Sequence, residues 1–172
     1  MHRKAAIKLR GVLYVQIWES RLKVTNLLND NVFDQAPNIA IKTEAKGNKI
    51  ITAYGDDALT IIDKDTVSFN PFSHPRMLLA DVIAAQKLLK FIFNKMKSSW
   101  LFSPVVIIHP MEKVEGDLTY IERTGFRSLA KNAGAKEVYT YVGDEVSGDI
   151  LKGIYSGQIS RAGIQQLTKT GT

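Results

Sequence analysis

The sequence predicts one α/β domain: a mixed sheet with helices packed against it. Three observations carry that reading. Residues 104–141 run from an apolar, β-branched stretch through a helical pattern to a second short strand, the order of a βαβ unit with a parallel sheet. The first seventy residues instead hold short strands separated by tight, polar turns, as antiparallel neighbours do. Finally, 172 residues at 45% hydrophobic can bury a core of their own, and neither a repeat nor a linker divides them.

In order, residues 1–10 form a basic segment carrying Arg3, Lys4, Lys8 and Arg10 without an acid. We read it as a solvated terminus able to touch an anionic membrane surface, yet too short to anchor alone. Residues 11–17 and 21–28 read as two antiparallel strands joined through Trp18, Glu19 and Ser20, followed by turn chemistry at Asn29, Asp30 and Asn31. Residues 38–42 make a third strand, paired across Lys46, Gly47 and Asn48 with a fourth at 49–54. A short helix from Gly55 to 62, an edge strand at 66–69 and a proline-broken loop at 70–75 follow. Residues 77–99 hold the longest helical pattern, with a broad apolar stripe and Lys87, Lys90, Lys95 and Lys97 mainly on its other side. Val105 to Ile108 is a buried strand closed by Pro110. Asp117 caps the next helix, in which Leu118, Ile121, Phe126, Leu129, Ala130 and Ala133 recur at helical spacing before a left-handed C-cap at Gly134. Residues 136–141 return as a strand and 149–158 are weakly helical. The domain therefore spans 11–158, with a polar tail at 159–172.

Chemistry is sparse. There is no cysteine, hence no disulfide or thiolate metal site. Neither G-x-G-x-x-G nor a Walker-type loop occurs. His2, His74 and His109 lack metal spacing, although His109 closes a strand. Asp63 and Asp65 flank a turn lysine, which reads as an acidic turn before it reads as a cation site. Asp144, Glu145 and Asp149 cluster after a strand end, where α/β sites gather. Ser20 and Ser103 have no histidine partner in view. No apolar run reaches a membrane span and no signal peptide opens the chain, so the expected compartment is the cytoplasm. The net charge of +6 fits an anionic partner without naming one.

The element order matches a ribonuclease H-like fold, and several segments resemble the first domain of MreB, the bacterial actin-like, rod-shape-determining family. KLRGVLYVQI resembles the family's basic start and first strand, and PNIAIKTEAKGNKIITAYGDDA its E-P-S-V-V-A-I segment. LLADVIAAQKLLKFIFNKM is similar to the family's V-I-A-D helix, and PVVIIHP with AGAKEVY resembles R-V-x-I-C-V-P with A-G-A-R-E-V-Y. The resemblance runs from about Lys8 to about Gly157 and implies an actin-like ATPase domain fold.

It also implies a nucleotide site that this sequence fails to supply. The family's D-L-G-T phosphate turn falls on Gln16, Ile17, Trp18 and Glu19. Trp18 fills the space that a glycine leaves for phosphate, Glu19 adds a like charge, and Gln16 is no anionic partner for metal-bound water. The family's second motif, L-I-E-E-P, puts its glutamates on Val142 and Gly143; Asp144 and Glu145 match only through a two-residue shift. The chain ends where the family's second domain would begin. The expectation is a non-catalytic module with no cofactor and no metal. It binds a protein partner of cytoskeletal or envelope-associated type, forms at most a small homo-oligomer and sits peripherally at the inner membrane if it meets lipid. Contact is expected near 142–147 and along Asp149, Ile150, Ile154 and Tyr155. One alternative is a ribonuclease H-like nucleic-acid module, disfavoured because Gln16 stands where a metal-binding Asp is needed. Another is a nucleotide-binding half-site completed by dimerisation.

Overall fold

The computed structural model describes residues 11–99, 101–147, 150, 151 and 153. Its strands are β1 (Val12–Ile17), β2 (Leu22–Asn26), β3 (Val32–Gln35), β4 (Ile39–Thr43), β5 (Lys49–Tyr54), β6 (Thr66–Phe69), β7 (Val105–Pro110) and β8 (Glu137–Thr140). The helices are α1 (Asp56–Thr60), α2 (Val82–Met96) and α3 (Tyr120–Asn132). The central sheet has the order β3-β2-β1-β7-β8, antiparallel on the β3–β1 side and parallel from β1 to β8. A three-stranded antiparallel sheet, β5-β4-β6, stands beside it. Tyr54 of β5 stacks on Phe91 of α2, with ring centroids 4.1 Å apart, and so ties the small sheet to the helical layer.

The third strand of the central sheet is therefore Val32–Gln35, which the sequence reading passed over; the expected third strand, near 38–42, opens the second sheet instead. The expected hairpin and the edge strand at 66–69 are present. The long helix is shorter than its pattern. Asp81 caps α2 by accepting from the Ala84 N–H at 2.9 Å, so residues 77–80 precede the helix. Asp117 does not cap α3. Its backbone is left-handed (φ 73°), its carboxylate accepts from the Leu118 N–H and pairs with Arg123, and the cap is Thr119. Thr119 and Glu122 form a reciprocal capping box, which satisfies two N–H groups at once. Ile121 lies off the stripe of Phe126, Leu129 and Ala130 and is 81% exposed rather than buried.

Side chains alternate across the central sheet and divide the core in two. Leu13, Val15 and Ile17 of β1, with Val106 and Ile108 of β7, face the layer of α2 and α3. Val12 and Tyr14, with Val105 and Ile107, face the other way and are covered by Tyr141, Val146 and Leu151.

Candidate functional site

The parallel register sets Gln16 beside His109 at the carboxyl ends of β1 and β7, on the face away from the helices. Both side chains are buried. A buried polar group needs a partner, and each has found one. The Gln16 amide donates to Glu145 Oε1 at 2.9 Å. His109 lies between the Tyr14 hydroxyl, 2.6 Å from Nδ1, and the Gly143 carbonyl, 2.9 Å from Nε2. The Tyr141 ring meets the imidazole edge-on, centroids 4.7 Å apart. Burial pushes the His109 pKa below its ordinary value, against the opposite pull of the Gly143 carbonyl and of Glu145 and Asp144. Burial likewise raises Tyr14 above the usual phenol range.

The β1–β2 turn forms the other half of the strand-end region. It closes through the Trp18 N–H donating to the Arg21 carbonyl at 2.9 Å. Trp18 is half-buried, with the Arg21 guanidinium carbon 5.1 Å from its ring centroid; Arg21 in turn forks onto Asp34 at 2.7 and 2.5 Å. Glu19 is held from three sides. Its carboxylate pairs with Lys113 at 2.6 Å and accepts from Ser73 at 2.8 Å, its N–H donates to Glu112 at 2.8 Å, and its carbonyl accepts from Asn70 at 2.5 Å. The Lys113 hydrogen bond, then that of Ser73, holds the Glu19 pKa below the usual carboxylate range. Glu19 is therefore an anion at neutral pH, fixed over the end of the sheet.

Among the residues singled out from sequence, the structure brings Gln16 and Glu145 into contact and puts Gly143 on His109. Val142 is half-buried; Asp144 is exposed. Ile150 packs against the cluster of Val12, Tyr14 and Ile107, so on this stretch the chain covers its own sheet. Arg3, Lys4, Lys8, Arg10, Asp149, Ile154 and Tyr155 lie outside the described residues. Asp63 is part of an acidic turn, pairing with Lys42 and accepting from Thr66. Among the described residues no three His, Asp or Glu side chains gather as metal ligands do, and no helix is long and apolar enough to cross a membrane. Sequence reasoning missed the Tyr14–His109 pair, whose partners lie 95 positions apart. It also missed an apolar groove of about 210 Å³ between the amino ends of α2 and α3, lined by Leu79, Val82, Ile121 and Phe126.

No family model and no curated protein matches the chain. Solved structures do. MreB5 of Spiroplasma citri bound to ADP superposes with a TM-score of 0.60 at 21% identity, over 78% of this chain and 39% of that one. Its AMPPNP-bound form gives 0.59 at 22%, over 76% and 38%. A non-polymerising mutant of MamK bound to AMPPNP gives 0.62 at 11%, over 77% and 41%. The chain spans 38–41% of the length of these proteins. Over some three quarters of its residues it has the α/β fold of part of an MreB-type, actin-like protein.

Proposed function

We propose that this chain is an MreB-like, actin-fold module that acts by binding other proteins of a cytoskeletal or envelope-associated assembly and hydrolyses no nucleotide. The observation that carries the reading is the Glu19 turn. By the MreB resemblance it stands where the phosphate loop would be; there the chain has Trp18 in place of a glycine, and Lys113, Ser73, Asn70 and Glu112 hold Glu19 in place. The Glu19 carboxylate is an anion there, and like charges repel. A triphosphate meets that repulsion without a glycine turn to receive it. Binding to proteins is supported by apolar surface at the amino ends of α2 and α3, where Ile83, Tyr120 and Ile121 are 69%, 84% and 81% exposed.

Titration calorimetry with Mg-ATP and Mg-ADP tests the absence of nucleotide chemistry. The expected result is no saturable heat; a dissociation constant below about 100 μM, roughly 5.5 kcal/mol of binding, overturns the non-catalytic reading. Sedimentation velocity with and without nucleotide tests whether the chain is a discrete module or a polymer. Monomer or a small oligomer is expected in both, whereas nucleotide-dependent growth into regular filaments replaces the module by a polymer.

A further inference from the structure

Among the described residues, β5 ends the small sheet: it pairs with β4, and its other side meets no strand. The ladder shows which backbone groups that leaves over. The Glu44 N–H donates to the Asn48 carbonyl at 2.8 Å, so these two face each other as a hydrogen-bonded pair at the hairpin. Such pairs alternate along an antiparallel ladder. Lys42 with Ile50 is the next one. Thr43 accordingly turns away from β5 and donates to the Asp65 carbonyl at 2.8 Å. Lys49 and Ile51, opposite Thr43 and Ile41, turn their N–H and carbonyl groups to the outer side of β5. A row of such groups is a template for another strand. Charge is divided along this edge. Lys46 and Lys49 stand exposed at its amino end, against a single acid, Glu44, on the β4 side of the turn. Asp56 and Asp57 stand exposed just past its carboxyl end. The residues between, Ile50, Ile51, Thr52 and Ala53, carry no charge.

We infer that the outer edge of β5 docks a second copy of this chain, the two β5 strands pairing antiparallel about Ile51 across a two-fold axis. Antiparallel pairing sets residues 46–49 of one copy beside residues 54–57 of the other. Lys46 and Lys49 of each copy then meet Asp56 and Asp57 of the other, at both ends of the joint. Parallel pairing sets lysine against lysine and acid against acid. The charge pattern therefore selects a second copy and its direction together. Lysines on an edge strand ordinarily keep other strands away; acids at the far end of the same edge turn them into attachment points. Ile50, 42% exposed, gains a cross-strand neighbour. The two small sheets become one of six strands, and the two-fold closes on itself, so association stops at two. A joint of one short strand is small beside the roughly 1,000 Å² of a stable interface. The dimer is therefore weak and salt-sensitive. The inference stands whether or not the protein binds nucleotide.

Sedimentation equilibrium on the full 172-residue chain tests it, from about 10 μM to about 1 mM, the range in which weak association shows. A monomer–dimer equilibrium is expected, with a dissociation constant several-fold higher in about 500 mM salt than in about 50 mM. Lys46→Glu and Asp57→Lys should each lose the dimer, because each sets like charges together at both ends. An equimolar mixture of K46E and D57K should recover it. In the mixed pair one end keeps the native lysine and aspartate, and the other exchanges them. Amide exchange locates the joint: protection at Ile51 should rise with concentration in the wild type, while Ser68, on the opposite edge of the sheet, stays unchanged. A monomer at every concentration, a mixture that behaves as its two components, or a dimer that leaves Ile51 exchange unchanged overturns the inference. The wild-type measurements decide the matter even if a variant fails to fold.

Discussion

The two faces of the central sheet are built on different principles. On the helix side, Leu13, Val15, Ile17, Val106 and Ile108 meet Leu88, Ile92, Phe126 and Leu129, all buried hydrocarbon. On the far side the composition changes along the strands, from Val12 beside Val105, through Tyr14 beside Ile107, to Gln16 beside His109. There the cover is Tyr141, Val146 and Leu151. The first face tolerates exchange of one apolar side chain for another of like volume, because its attraction is non-directional. The far face depends on each donor finding its acceptor, and a circuit with one member lost is worse than an apolar layer. Stability should therefore come mainly from the helix side, and sensitivity to conditions from the far side.

The largest expected effect is on the helix side. Leu129 of α3 is fully buried against the sheet. Leu129→Ala should cost about 2–5 kcal/mol through lost transfer energy and the cavity left behind. Urea unfolding at pH 7 measures it, and the loss should be the same at pH 5.5 as at pH 7.5. A strong pH dependence in this variant would break the contrast between the faces.

Next comes Tyr14→Phe, which keeps the ring but removes the hydroxyl partner of His109 Nδ1. Leaving such a group unpaired should cost about 1–3 kcal/mol at pH 7.5. The wild type should itself lose stability on acidification. The folded-state pKa of His109 is depressed by burial, so the unfolded chain binds more protons just below pH 6.5, and stability falls with pH through that window. The carboxylates of Asp34, Asp63 and Asp117 are held low by Arg21, Lys42 and Arg123, and their contribution is lost only as pH falls below the ordinary carboxylate range near 4. Two separated acid transitions in a urea-midpoint profile, the upper one abolished in H109Q, would sharpen the comparison; one transition near pH 4 would erase it.

What was legible in the sequence follows the same division. The β-branched runs of β1 and β7 and the stripe of Phe126, Leu129 and Ala130 announce the helix-side core, because non-directional packing leaves a periodic trace. β3 (Val32–Gln35) was not legible: it is a short edge strand in which Phe33 alone is buried. The α3 start was legible but misread. Asp117 offered an acid, whereas Thr119 with Glu122 three positions later is the capping-box signature; Ile121 was misplaced separately, because it lies off the stripe of Phe126, Leu129 and Ala130 wherever the helix starts. The far-face circuit left no trace, since Gln16 and Glu145 are separated by 129 positions and their pairing depends on the whole fold. Thr119→Ala tests the corrected start and should cost about 1 kcal/mol, read as a lower urea midpoint without a change in slope.

The smallest effect concerns a buried polar atom on the helix side. Thr140 of β8 pairs in register with Ile108, so its side chain points to the helix side. Its Oγ1 is buried and makes no hydrogen bond. A hydroxyl in that state has given up water and gained nothing, so removing it should relieve a penalty, in contrast to Tyr14, where removal creates one. Thr140→Val preserves the β-branched shape that strands favour. The urea midpoint should rise or hold, by about 0–1 kcal/mol, with an unchanged slope. A fall of the midpoint instead means that Oγ1 is hydrogen-bonded in solution. The helix-side layer would then hold a polar contact at the carboxyl ends of β7 and β8 as well as the one that buried Asn26 makes with the Met96 carbonyl and Ser98, and the apolar character of that face would stop one residue short of β8's carboxyl end.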